Sequence, residues 1–138
     1  MANYETIKAL IATRLKTFGY TESSQVVDFK NAPVNEYNNC YIIKALTGEN
    51  QNNTILDRFD DAQEWQILIA FERSENSDIV QYDAMHRAKD AIIKDLDKPA
   101  NWEGSVKLLK YNKWSITEFP NYYVLDVRLT VLDLYIHS

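Results

Sequence analysis

Residues 64–73, EWQILIAFER, constrain this chain more than any other stretch. Trp65, Ile67, Ile69 and Phe71 alternate at the two-residue period of a strand, and Leu68 with Ala70 make the opposite side partly apolar as well. Two apolar sides describe a central strand. Residues 79–97 follow after a short polar link. Tyr82, Met85, Ala88, Ile92 and Leu96 recur there at three- and four-residue steps, with Asp83, Arg87, Lys94 and Asp95 over the rest of the helical surface. The spacing predicts a helix lying on the sheet. Neither segment holds a set of residues that looks catalytic, so architecture is more legible here than activity.

The remaining segments arrange themselves around that pair. Asn3 caps a predicted helix with the stripe Ile7, Leu10, Ile11, Leu15 and Phe18, and Gly19 stands where a helix stop is expected. Residues 21–39 are polar and irregular around Pro33, with Val26, Val27 and Phe29 as a short edge strand or an extended plug. Residues 40–46, CYIIKAL, read as a strand between Asn38-Asn39 and Gly48. Residues 48–53, GENQNN, contain no apolar side chain and are expected to form a solvent-exposed loop, either a hairpin tip or a binding loop ordered by a partner. Residues 54–59 suggest another strand, after which Asp60 and Asp61 turn the chain into the central one. Lys98-Pro99 ends the second helix, and Trp102 is expected to pack under the connection. Residues 105–111 and 114–119 suggest two strands, with Pro120-Asn121 turning into the last. At 138 residues the chain suits one α+β domain, a mainly antiparallel sheet of four to five strands with two helices packed on it.

Tyr122–Ile136 is the longest strand-like run. Tyr123, Leu125, Val127, Leu129 and Val131 share one side, but Leu132, Leu134 and Ile136 are then apolar while Asp133 falls on the former core side. A β-bulge near Val131 and Leu132 would re-aim the later residues; a neighbouring molecule covering a second apolar side would also account for them. Fifteen residues at about 3.3 Å each span about 50 Å. A domain of this size has a radius of gyration of about 14 Å, so the strand must bend or protrude.

Charge and composition narrow the classes of function. A net charge of -5 disfavours a broad phosphate-binding surface. Lys107, Lys110 and Lys113 form the one basic strip, either a contact for phosphate or a partner, or the lysine guard of an edge strand. The single Cys40 cannot form an internal disulfide, which suits a reducing compartment. His86 stands between Asp83 and Asp90 at helical spacing, yet has no second His or Cys nearby, and His137 lies next to the C-terminus. Asp57, Asp60, Asp61 and Glu64 read as a solvated turn. Gly-rich phosphate loops and nucleophile elbows are missing from the sequence. The expectation is no catalytic residue, no metal and no cofactor, in a soluble protein without signal peptide or membrane span. Nine Tyr and three Trp add mild support for association.

The order helix, strand, polar loop, strands, helix, long C-terminal strands, with W-Q-I-L-I-A-F-E-R leading into Y-D-A-M-H-R-A-K-D-A-I-I-K-D-L, resembles the tail terminator and tail-to-head joining proteins of long-tailed bacteriophages. In that group a helix of the type Tyr-x-x-Ala-x-x-x-x-x-x-Ala-(Ile/Val) follows the central strand, and the chain closes on a long strand. Tyr82, Ala91 and Ile92 fit that pattern loosely, and the spacing of the first Ala differs, with only Ala84 or Ala88 available for it. The likeness covers most of the chain from Asn35 onward and the first helix.

The resemblance implies a non-enzymatic subunit of a hexameric ring that caps the finished tail tube and offers a surface for head attachment. Its implied partners are further copies of itself, the tail-tube protein, and a head connector or neck protein, with DNA passing through the ring rather than being bound specifically. Its implied location is the tail end or neck of the virion, after synthesis in the host cytoplasm. The candidate contact residues are Asn50, Asn52, Asn53 and Ile55 in the polar loop, and Leu132, Leu134 and Ile136 on the last strand. Competing readings are a joining protein on the head connector, another virion adaptor such as a baseplate component, and a small α+β binding module or ligand-dependent enzyme. The last would need a pocket with convergent polar groups.

Overall fold

Antiparallel pairing between the two longest strands organises the molecule. The computed structural model describes residues 3–23, 27–34, 36–50, 58–73, 78–98, 102 and 106–136. In chain order the elements are α1 (Asn3–Thr17), β1 (Thr21–Glu22), β2 (Cys40–Asn50), β3 (Arg58–Glu72), α2 (Asp78–Leu96), β4 (Val106–Glu118) and β5 (Tyr122–Ile136). They build one sheet in the order β1-β2-β3-β5-β4, parallel only between β1 and β2. This is the α+β architecture that the periodicities predict.

Both helices cover one side of the sheet. Ile7, Ile11 and Leu15 of α1 and Met85, Ile92 and Leu96 of α2 are buried against Tyr41, Ile43, Trp65, Ile67, Ile69, Leu125, Val127 and Leu129. The first helix ends as its sequence suggests. Gly19 adopts a φ of 88°, its N–H donates to the Lys16 carbonyl at 3.0 Å, and the Tyr20 N–H reaches back to Leu15. That is a Schellman stop, for which a left-handed glycine is the low-strain residue. The helices are joined by Arg14, whose Nε and Nη2 donate to the two carboxylate oxygens of Asp95 at 2.7 and 2.9 Å. Asp95, expected on the solvated side of its helix, is therefore buried. An ion pair between helices allows a carboxylate into a position that charge alone would exclude.

A strap covers part of the other side. Phe29 and Ala32 are buried there against Ala70, Tyr122 and Val124, with Val27, Tyr37, Ile42, Leu68 and Phe119 packed around them. The extended plug is thus the correct alternative for Val27 and Phe29, while Val26 lies outside the described residues.

The strands run longer than the sequence pattern suggests. β2 continues through Gly48 and Glu49 to Asn50, so the first half of the expected polar loop is strand. Asp60 and Asp61 lie within β3 rather than in a turn. The reason is pairing: Glu49 and Asn50 face Ala62 and Asp61, and Asp60 and Asp61 face Leu134 and Asp133 on the other side. Backbone ladders on both sides outweigh the low strand propensity of Asp and Asn. The two strands expected after α2 are a single β4, with register shifts between Leu108 and Lys110 and between Tyr111 and Lys113. No such shift interrupts β5 against β3, where the register is continuous from Arg58↔Ile136 to Glu72↔Tyr122. The bulge expected near Val131 and Leu132 is therefore not in β5. Its pattern slips because Asp133 is buried on the helix side while Leu132 is half-buried on the other.

Candidate functional site

Nineteen residues of α2 rise about 28 Å, whereas fifteen residues each of β3 and β5 span about 50 Å. Each of these strands is longer than α2. The end farther from the strap, formed by the last residues of β2 and β5 and the first of β3 and β4, collects the residues singled out in the sequence. Asn50 pairs in register with Asp61, Asp61 with Asp133, Ala62 with Leu132, Asp60 with Leu134 and Arg58 with Ile136. Asn50 on β2 and Leu132, Leu134 and Ile136 on β5 thus lie at the same end of the sheet with β3 between them, Asn50 level with Asp61 and Asp133 rather than with Leu132. Asn52, Asn53 and Ile55 lie outside the described residues, as does Asp57.

On the helix side of this end a chain of side-chain hydrogen bonds leads outward from the core. The buried Trp65 Nε1–H donates to Gln63 Oε1 at 2.9 Å, and Gln63 Nε2 donates to Asp61 Oδ2 at 2.7 Å. Tyr4 at the start of α1 stacks on Trp65 with ring centroids 5.5 Å apart. An open groove of about 340 Å³ lies beside them, lined by Tyr4, Ala45, Leu46, Thr47, Gly48, Asp61 and Gln63. A Cβ on Gly48 would stand 2.8 Å from Asp61 Oδ2, so glycine lets this carboxylate lie across the strand.

The opposite side carries a row of polar groups between the strap and Leu132. Gln66 Nε2 donates to Asp126 Oδ2 at 2.7 Å, Arg128 Nε donates to Asp126 Oδ1 at 3.0 Å, and Arg128 Nη1 reaches Glu64 Oε1 at 2.9 Å. The hydrogen bond that Arg128 donates to Asp126 is the first reason that the Arg128 pKa is raised, with Glu64 adding to it. Asn112 on β4 and Thr130 exchange hydrogen bonds at 2.8 and 3.1 Å. Asp61 and Glu64, grouped in the sequence, are divided between the two sides of β3: one meets Gln63, the other Arg128. They form no shared acidic turn.

His86 sits among rings rather than carboxylates. Tyr82 lies 4.7 Å and Trp114 5.5 Å from it, both edge to face, and Lys89 Nζ stands 4.1 Å over the Trp114 ring. Asp90, expected beside the imidazole, pairs with Lys89 at 3.2 Å. Trp114 was missed as a neighbour because only the tertiary structure sets β4 beside α2. Among the described residues no group of three His, Cys, Asp or Glu side chains could hold a metal ion. Burial pushes the Cys40 thiol up from its ordinary value, away from the reactive thiolate. Burial likewise raises Tyr20, Tyr41 and Tyr111. These shifts are scattered over the sheet, and the described residues around the groove present surfaces for contact.

The lysine strip has an order that spacing alone hides. Lys107, Lys110 and Lys113 stand three residues apart, which on a regular strand would alternate sides. The two irregularities of β4 place them in register with Leu132, Thr130 and Arg128, positions that all belong to the side away from the helices. No helix among the described residues is long and apolar enough to cross a membrane. The sequence matches no family model and no curated protein.

Proposed function

We propose that this protein is a non-enzymatic structural subunit of a long-tailed bacteriophage, a tail terminator that assembles as a hexameric ring, caps the tail tube and joins it to the head. The observation that carries this reading is the long β3–β5 pair, fifteen residues on each strand, which gathers Asn50, Leu132, Leu134 and Ile136 at one end of the sheet. A sheet end built on a continuous β3–β5 ladder provides a stiff contact surface for a tube or neck protein, and the sheet edges leave room for neighbouring copies. The partners on this reading are the chain itself, the tail-tube protein and a head connector or neck protein, and the protein resides at the tail end of the virion.

Imaging of tails assembled with and without the protein tests it. A six-fold ring on the tail end is expected, together with a defined complex between the protein and tail-tube protein in light scattering. A protein that stays monomeric in the presence of assembled tubes overturns the reading. A ring found on the head connector instead identifies the head-side joining protein of the same fold. The open groove beside Asp61 and Gln63 favours a small binding module; a small ligand protecting that groove, with no particle association, would establish that alternative.

A further inference from the structure

At the groove on the helix side of the sheet, one carboxylate is held in place without a cation to meet it. Asp61 Oδ2 accepts from Gln63 Nε2 at 2.7 Å, and the Gln63 amide is itself oriented by the Trp65 Nε1–H, which donates to its Oε1 at 2.9 Å. Trp65 and Gln63 are both buried, so the carboxylate takes its direction from the core rather than from solvent. Gly48 across the ladder leaves the space in which it lies, since a Cβ there would stand 2.8 Å from Oδ2 and 3.2 Å from Oδ1. Among the described residues no Lys, Arg or His side chain pairs with Asp61. Residues 51–57, which connect β2 to β3, contain no Lys or Arg. The positive end of α1 lies nearby, but Glu5 in its first turn offsets it.

The same groove supplies an aromatic ring and an apolar wall. Tyr4 stacks on Trp65 with ring centroids 5.5 Å apart and an interplanar angle of 24°, yet 48% of its surface remains exposed. The register shift between Ala45 and Thr47 leaves Leu46 outside the ladder, 38% exposed at the groove wall.

We infer that this groove receives an arginine side chain presented by a protein partner. The guanidinium donates to Asp61, its plane lies on the outer face of Tyr4, and its methylenes cover Leu46. The inference concerns the groove alone and stands whether or not the chain forms a ring.

Charge and shape together select the side chain. An anion would meet the Asp61 carboxylate with no cation beside it, and an apolar side chain would strip water from that carboxylate without replacing the hydrogen bonds. Lysine matches the charge, but its ammonium holds its hydration tightly and has no plane to lay on a ring. A guanidinium satisfies the carboxylate and the aromatic face at once.

The lining also separates an arginine within a polypeptide from the free amino acid. No residue lining the groove carries a positive charge, so the α-carboxylate of free arginine would face Asp61 unmatched. In a polypeptide both α groups are neutral amides, and the open side of the groove lets the backbone stay outside.

A capped arginine, N-acetyl-arginine N-methylamide, is the probe, followed through the amide chemical shifts of the isotope-labelled protein. Saturable shifts are expected at Tyr4, Leu46, Gly48, Asp61 and Gln63. Capped lysine should bind about two- to fivefold more weakly, and capped citrulline, planar but uncharged, should leave these signals in place. Asp61→Asn is expected to weaken capped arginine by about tenfold or more. Tyr4→Ala should weaken it by about two- to fivefold and erase the preference over lysine, while Tyr4→Phe keeps both. Tyr4 is exposed and Asp61 half-buried, and circular dichroism reports that each variant is folded; if Asp61→Asn is not, the two Tyr4 variants decide. Shifts that never saturate, that lie elsewhere on the chain, that persist undiminished in a folded Asp61→Asn variant, or that capped lysine produces equally well overturn the inference. Free arginine bound more tightly than the capped form overturns the protein partner and marks a small-molecule site instead.

Discussion

The Tyr122 hydroxyl donates to the Pro33 carbonyl at 2.7 Å and accepts from the Tyr37 N–H at 3.1 Å, so one side chain of β5 fastens a segment 89 residues away in sequence. The Glu36 N–H points to the same oxygen at 3.3 Å, and Asn121 Nδ2 holds the Ala32 carbonyl at 2.9 Å. Tyr122→Phe keeps the ring among Phe29, Tyr37 and Val124 but leaves part-buried backbone groups without this partner. A loss of about 1–2 kcal/mol is expected, with faster amide exchange confined to residues 27–37. Exchange unchanged at the strap while the whole protein weakens would contradict this pinning role.

Tyr41 presents the reverse case. Its ring is fully buried, and its hydroxyl has no hydrogen-bond partner among the described residues. Burial first, and the charge of Glu22 second, raise its pKa above 10.0. A folded-state pKa above the unfolded one contributes stability that is complete below the unfolded value and is lost as pH rises through the folded value. Tyr41→Phe is therefore expected to be neutral or mildly stabilising at pH 7 and to flatten the loss of stability above pH 10. Urea unfolding at pH 7 and pH 10.5 checks both parts.

Arg14 and Asp95 behave as a unit across the two helices. Replacing either by Leu strands the other charge near the core, whereas replacing both leaves an apolar contact. Each single substitution should lower the thermal midpoint by several degrees, and the double variant should recover most of the loss. Additive losses in the double-mutant cycle would show that the pair is not coupled.

Ile69 and Leu132 separate folding from assembly. Ile69 is completely buried under the helices, and Ile69→Asp is expected to cost several kcal/mol and abolish folding. Leu132 is half-buried on the opposite side, at the end of the sheet away from the strap, so Leu132→Asp should leave the circular dichroism spectrum unchanged and weaken binding to tail-tube protein. Equal unfolding by both would place the end of β5 within the core and remove it from the contact surface.

Sequence alone determined the elements that satisfy their own periodicity. The stripe of α1 from Ile7 to Leu15 with its Gly19 stop, the stripe of α2 with Met85, Ile92 and Leu96, and the alternation of β3 and most of β5 were legible because each such pattern has a single way to bury its apolar residues; Phe18, expected on the first stripe, instead follows the end of α1 and is exposed. The α+β class followed from their order. Trp102 also took its expected place under the end of α2, where its Nε1–H donates to the Leu96 carbonyl at 2.7 Å.

What the tertiary structure decided depended on partners distant in sequence. Glu49, Asn50, Asp60 and Asp61 are polar and read as loop and turn, but ladder hydrogen bonds on neighbouring strands make them strand. Asp95 reads as surface until Arg14, 81 residues away, reaches it. The lysines of β4 acquire a common side only through register shifts against β5, which no property of residues 107–113 announces. Side-chain periodicity is a local quantity that a sequence displays directly, whereas register and ion pairing are settled between segments. The candidate site is built almost wholly from those, and so it became visible only once the strands were paired.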